Sequence, residues 1–360
     1  MFNWNRRFAA GLLALSFLCA ALSACAKHPV KPSQKGVGRD TIVKMAQNNG
    51  ENTAQNGENT DNLSGDTTDS NANANANANA NTTVGSEPSY SIVDGKYVYS
   101  IPAPDRSGLS DLSDVNALSR ALFSDSGNAT SWYPGKTERN LTTGEVTYKW
   151  DRAADTLALL DKYGAIYRRH TDENVVYFTF DCGYENGWTE PILDVLKEKN
   201  VPGMFFLVGH YVDTAETVIR RMLDEGHLLG NHTNNHPDLT TVDAQTYIKE
   251  LTDLEDKIKE KFPDAPPMRY MRPPEGACNE WSLAMAQKMD YTTVLWSWGH
   301  HDWVENDQPD PASALEKAKQ GLHPGAVYLF HCVGSTNPAI LGDLIDYIRG
   351  EGYEIRPLCD

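Results

Sequence analysis

From about residue 155 onward the chain repeats one motif, an apolar strand followed by an amphipathic helix, and little else it could fold into satisfies that pattern. Val175-Val176-Tyr177-Phe178-Thr179-Phe180 reads as a buried strand. Pro191 opens a helix carrying Ile192, Leu193, Val195 and Leu196 on its inner side. Gly203 to Val208 forms the next strand, and Thr214 is placed to cap a helix that stops at Gly226. Further strands are predicted near 227–230, 268–271, 292–297, 326–330 and 353–356, with helices at about 241–261, 280–289, 311–320 and 338–350. About seven βα units in succession argue an α/β fold with a parallel sheet or barrel. In such folds polar chemistry gathers at the C-terminal ends of the strands.

The preceding residues are of a different kind. Arg6 and Arg7 followed by an apolar run to Leu22 make a secretion signal too short to span a membrane as an ordinary helix. It ends Leu22-Ser23-Ala24-Cys25, which resembles the lipobox of bacterial lipoproteins. That resemblance implies cleavage after residue 24, a lipidated Cys25, and an extracytoplasmic protein anchored to the cell membrane. A plain secretory peptide with an incidental cysteine is the plainer reading. Residues 25–88 are rich in Asn, Thr, Asp, Ser and Gly, with Asn and Ala alternating over 71–81. Too little there can be buried to offset chain entropy, so it is predicted to be a disordered linker spanning roughly 40–45 Å as a flexible coil. Residues 89–154 read as an extension packed on the main domain. Tyr90 to Ile101 alternates like one or two short strands, Asp114 to Phe123 suits a short helix, and Trp132-Tyr133-Pro134 suits an aromatic clasp. Residues 155–360 form the main domain.

The net charge of −17 argues against nucleic acid or anionic lipid as an electrostatic partner and leaves a neutral or cationic glycan open. No protein partner is specified by the sequence.

Five unusual polar clusters fall just after predicted strands: Thr179-Phe180-Asp181-Cys182-Gly183-Tyr184-Glu185-Asn186, His232-Thr233-Asn234-Asn235-His236, Arg272-Pro273-Pro274-Glu275-Gly276, Asp302-Trp303, and Leu329-Phe330-His331. Each has an ordinary explanation when taken singly. A His-x-x-x-His pair can surround one metal or merely decorate a surface, and Thr233 stands where the metalloprotease motif needs glutamate. Asp181 can cap a loop, Arg272 can be a structural ion-pair partner, and His331 a hydrogen-bonded core histidine. Their coincidence at one end of successive strands is what those explanations leave out.

In order and spacing the clusters resemble the polysaccharide deacetylases over about residues 170–357. The Phe-Asp-x-Gly-Tyr-Glu-Asn form of the first cluster, the upstream Trp132-Tyr133 and Tyr163-Gly164 segments, and Glu275 after the double proline resemble most the branch that deacetylates peptidoglycan N-acetylmuramic acid on the way to muramic delta-lactam. The resemblance implies a distorted (β/α) barrel of about seven βα units, a bound divalent metal with zinc as the expected ion, and hydrolysis of an acetamido group. It further implies Asp181 as the base and His331 as the general acid, oriented by Arg272 and Asp302 respectively. His232 and His236 are the implied metal ligands, Glu275 gives a backbone oxyanion donor, and Trp303 walls the site.

The chemistry is consistent with those roles, because an amide needs an activated water, oxyanion stabilisation and a proton for its leaving amine. One position departs from the family: Cys182 stands where a metal-binding aspartate is usual, although the muramic-acid branch commonly lacks it too. Cys182 is open to three states: a thiolate on the metal, a neutral thiol beside it, or a disulfide with Cys278 or Cys332. The expectation favours metal contact, since a bound cation deprotonates a coordinating thiol. A deacetylase of N-acetylglucosamine or another glycan, and an inactive sugar-binding lipoprotein, are the competing functions.

Overall fold

In the computed structural model the described residues are 87–121, 132, 136–149 and 154–359. The signal segment, Cys25, the Asn-Ala tract, Phe123, Tyr133 and Pro134 lie outside them. Strands β1 (Ser89–Val93) and β2 (Lys96–Ser100) form an antiparallel hairpin. Its turn residues Asp94 and Gly95 both take positive φ, 50° and 77°, the twist a two-residue hairpin favours. The helix expected at 114–123 is a single turn, α1 (Ser113–Asn116). A second hairpin, β3 (Lys136–Arg139) with β4 (Val146–Lys149), precedes α2 (Ala154–Lys162).

The barrel follows in βα order: β5 (Val175–Cys182), α3 (Thr189–Lys199), β6 (Met204–Leu207), α4 (Gly209–Thr214), α5 (Glu216–Asp224), β7 (Leu228–Asn231), α6 (Ala244–Lys261), β8 (Tyr270–Met271), α7 (Glu280–Lys288), β9 (Thr292–Thr293), α8 (Pro311–Gln320), β10 (Ala326–His331), α9 (Thr336–Gly350) and β11 (Glu354–Ile355). Seven of these strands make one parallel sheet, ordered β10-β5-β6-β7-β8-β9, with β11 paired to the start of β5. A parallel bridge from Trp298 to Tyr328 carries the chain beyond β9 back onto β10 and curls the sheet into a distorted barrel.

Thr214 does not cap α5. It ends the short α4, its hydroxyl donating to the His210 carbonyl at 2.8 Å, and the α5 N-cap is Ala215.

The burial of β5 explains how the site is sorted. All eight of its residues are buried, but they split by parity. Val176, Phe178, Phe180 and Cys182 pack outward into the core shared with the helices, whereas Val175 and Tyr177 join Phe206, Tyr270 and Val327 on the other sheet face, inside the barrel. Asp181 therefore lies on the inner face and Cys182 on the outer. On β10 the same alternation puts Tyr328, Phe330 and Cys332 outside and leaves His331 inside.

The extension touches this domain at several points. Trp132 is buried and donates its indole N–H to the Trp296 carbonyl at 2.7 Å. Tyr99 donates its hydroxyl to the Gly226 carbonyl at 2.9 Å.

Candidate active site

The inner face supplies its chemistry from the C-terminal ends of β5, β7, β8 and β10 and from the loop after β9. Arg272, just past β8, is wholly buried. Its guanidinium donates to Asp181 Oδ1 at 2.6 Å, to Thr179 Oγ1 at 2.8 Å and to the carbonyls of Val294 and Leu295 at 3.1 and 3.2 Å, and lies 4.2 Å from the centre of the Phe206 ring. Fixed on so many acceptors, it can hold only one carboxylate orientation. Burial alone would raise the Asp181 carboxyl. The Arg272 guanidinium, helped by His232 and His331, outweighs that and holds it below the usual carboxylate range.

His232 stands beside this pair, its Nε2 3.6 Å from Asp181 Oδ2. Its Nδ1 faces the Arg272 carbonyl at 2.8 Å, and since a carbonyl only accepts, Nδ1 carries the proton and the Nε2 lone pair is directed into the site. Burial pushes the ring pKa down to about 4, against the pull of Asp181, so the imidazole is neutral near pH 7. The ring of His236 lies 4.9 Å away at 80°. The loop between them is unusual: Thr233 and His236 hold φ of 69° and 58°. Backbone of that kind persists only where neighbours impose it. Here Asn231 Oδ1 accepts from the Thr233 N–H at 2.9 Å, and Glu250 of α6 accepts from Asn235 twice at 2.8 Å.

The acid side is built from Asp302 and His331. Asp302 is fully buried, with Oδ1 2.7 Å from His331 Nδ1 and Oδ2 accepting the His331 backbone N–H at 2.8 Å. Burial would raise Asp302, but His331 and His300 hold it far below its ordinary value. Burial would likewise lower His331, and the Asp302 carboxylate overrides it and raises the ring above its ordinary value. Asp181 and His331 are register partners across β5 and β10. Base and acid candidates thus face one space from adjacent strands, each backed by its own oppositely charged residue.

Trp303 is 53% exposed, its ring 5.9 Å from that of His331, so it forms an accessible apolar wall. Glu275 sits in the turn Pro274–Gly276 with φ 56° and an exposed side chain, so its backbone and not its carboxylate is directed by the fold. Gly276 is required beside it, because a Cβ there would come within 2.7 Å of Trp296 and 2.9 Å of Trp132.

Cys182 is not brought to the site. Its sulfur lies 3.4 Å from that of Cys332 in the outer core, and both are free thiols. Burial, contact with Cys332 and the carboxylates of Asp181 and Glu185 all push its thiol pKa up. The expected metal contact is corrected by strand parity: the residue after an inward aspartate on a regular strand must point outward. The residues that would hold a divalent metal here are His232, through Nε2, and His236. Among the described residues no three His, Cys, Asp or Glu side chains are clustered as a ready cage.

The sequence assigns no role to three contributors: Thr179, within the first cluster, which bridges Arg272 and the Tyr328 carbonyl, and Asn337 and His300, outside every cluster, which contact Asp302. Thr179 did carry a signal, the one aliphatic hydroxyl in an apolar strand, two positions before Asp181 and hence on the same face. Asn337, in a Ser-Thr-Asn-Pro run at a helix start, looks like any cap.

A family model described as polysaccharide deacetylase matches residues 168–294. The peptidoglycan-N-acetylmuramic acid deacetylase PdaA of Bacillus subtilis is 40% identical over 203 residues, covering 56% of this chain and 77% of that protein. The chain belongs to the polysaccharide deacetylase family. This deacetylase is also 34% identical over 197 residues to a chitooligosaccharide deacetylase of a Bradyrhizobium species, covering 51% of this chain and 88% of the relative. The solved structure of Bacillus subtilis PdaA, described as a family 4 carbohydrate esterase, superposes with a TM-score of 0.57 at 36% identity over 63% of this deacetylase and 94% of that chain. The chain is accordingly a hydrolase of the deacetylase type.

Proposed function

We propose that the enzyme removes the acetyl group from N-acetylmuramic acid in peptidoglycan, exposing the amine that closes onto the lactyl group to give muramic delta-lactam. The observation that carries the chemistry is the in-register pairing of Asp181 and His331, each held by a buried partner. The choice of sugar is supported by the Phe-Asp-x-Gly-Tyr-Glu-Asn cluster and by the relative 40% identical to this chain that is named for N-acetylmuramic acid.

Asp181, ionised and aimed by Arg272, takes a proton from water as the water oxygen attacks the acetyl carbon. The backbone N–H of Glu275 donates to the oxyanion. His331, kept protonated by Asp302, gives its proton to the sugar nitrogen as the C–N bond breaks, so acetate and a free amine leave. Trp303 supplies a face against which the sugar ring lies. His232, through Nε2, and His236 would hold a divalent metal, with zinc favoured by the imidazole donors. Such an ion, when bound, polarises the acetyl carbonyl and makes water more acidic.

The anchoring part of the reading rests on Leu22-Ser23-Ala24-Cys25. It places the enzyme outside the cytoplasm on a lipidated Cys25, and Cys25→Ala is expected to release it from the membrane fraction.

Incubation with muropeptides carrying or lacking the stem peptide on muramic acid, followed by mass spectrometry, tests the function. Loss of one acetyl group from muramic acid, then of one water on lactam closure, is expected. Deacetylation confined to glucosamine residues would assign the other sugar, and no acetate from any glycan would end the enzymatic reading.

A further inference from the structure

Asn337 lies in the first turn of α9 with its side chain fully buried. Its Nδ2 donates to Asp302 Oδ2 at 2.6 Å and to the His331 carbonyl at 2.9 Å. Both are acceptors, so the amide can sit only one way round, and Oδ1 is turned to His300 Nε2 at 2.9 Å. An amide oxygen only accepts, so that Nε2 carries a proton. The same nitrogen stands 3.3 Å from Asp302 Oδ2. The His300 ring plane is set by packing, its centre 5.0 Å from Trp298 and 6.4 Å from Phe330. Its other nitrogen is buried without a hydrogen-bond partner. Among the described residues the polar contacts of the His300 ring are those around Nε2, so the ring has one directional task.

With Asn337, the His331 N–H and His300 grouped on Oδ2, the Asp302 carboxylate cannot rotate, and Oδ1 alone is presented to His331 Nδ1. We propose that Asn337 and His300 are positioning residues for the leaving-group acid, clamping Asp302 so that His331 keeps one ring orientation. This rests on the role given to His331 above. Asn337 does not touch the substrate, because it is sealed beneath the histidine it serves. A displacement of about 1 Å in a catalytic group costs on the order of 100-fold in rate, so a clamp of this kind is felt in turnover.

Three variants separate a directional hydrogen bond from packing. His300→Phe keeps the ring against Trp298 and Phe330 but removes the donor. His300→Gln places an amide N–H near the position of Nε2. Asn337→Ala removes the clamp. Turnover is expected to fall about 10–100-fold in Asn337→Ala and about 10-fold in His300→Phe, with KM within twofold, while His300→Gln stays within about threefold of wild type. The second readout needs no substrate: the low-field proton resonance of His331 Nδ1–H, assigned by its loss in His331→Gln, should persist in His300→Gln and broaden or move upfield in the other two. Unchanged kcat in both Asn337→Ala and His300→Phe, equal losses in His300→Gln and His300→Phe, or a resonance indifferent to all three would overturn the clamp. If Asn337→Ala does not fold, the His300 pair decides. If wild type releases no acetate, the assigned function fails and the resonance still decides the clamp.

Discussion

Cys182 and Cys332 stand sulfur to sulfur at 3.4 Å on the outer sheet face, directly behind Asp181 and His331 on the inner one. The thiols belong to the packing that supports the site and not to the site's donor set. On the proposed two-histidine site, Cys182→Ala should therefore leave zinc binding unchanged, at a cost of about 1 kcal/mol in stability. Cys182→Asp, which restores the residue usual in the family, should destabilise by about 3–5 kcal/mol, because it buries an unpaired carboxylate among Tyr211, Phe330 and Leu207. Metal content after dialysis and urea unfolding of both variants are the measurements. A tenfold loss of zinc affinity in Cys182→Ala would return the sulfur to the metal.

The Asp181–Arg272 pair predicts an asymmetry between its two partners. Arg272→Ala strands a carboxylate in a buried site and should cost about 3–5 kcal/mol, with loss of acetate release. Asp181→Asn still offers Arg272 an oxygen acceptor but leaves its buried charge unbalanced, so it should cost less than Arg272→Ala, about 1–3 kcal/mol, while acetate release drops by about 10²–10⁴. Denaturant unfolding run alongside an acetate assay separates the two. Near-normal release from Asp181→Asn would remove it as the base.

The barrel was legible because Val175–Phe180 and the helices after it are strong, long signals, and because the polar clusters come at strand ends. The two-residue strands β8 and β9 were placed but overdrawn, since an apolar segment such as 292–297 looks the same whether it hydrogen-bonds along its length or only at a bridge. Parity was illegible for a physical reason. A strand buried on both faces has no alternation of apolar and polar residues to reveal which way Asp181 and Cys182 point. The contact of Asn337 with Asp302 spans 35 residues and depends on α9 returning beneath β10, a long-range fact no local pattern carries.

Trp303 is more than half exposed although large and apolar, and among the described residues its ring contacts are with His301 and His331. Such a face is suited to a sugar ring and makes little contribution to folding. Trp303→Ala should raise KM roughly tenfold, equivalent to about 1.4 kcal/mol of contact, with little change in kcat or melting temperature. A fall in melting temperature of several degrees with KM unaltered would make it a structural residue instead.

The His331–Asp302 pair sets a pH window for stability and for turnover. His331 is raised above its ordinary value, chiefly by Asp302 against the opposing effect of burial, with Asp181 adding to the rise and Arg272 reducing it; His300 faces the same carboxylate. A raised histidine contributes stability that is fully present below the unfolded pKa of about 6.5 and is lost as pH climbs through the folded value. Asp302 is depressed, so its contribution is present above about 3.9 and is lost as pH falls through its folded value. The pair therefore stabilises the fold most between these limits, in the mildly acidic range. As an acid, His331 must be protonated, so turnover should decline on the alkaline side with a midpoint above 6.5. The check is a titration of the His331 ring by NMR beside a kcat profile, with Asp302→Asn as comparison. That variant should move the ring midpoint down and draw the alkaline limb with it. A wild-type midpoint below 6.5, or a limb that stays in place in Asp302→Asn, would show that His331 is not the group whose proton the leaving amine receives.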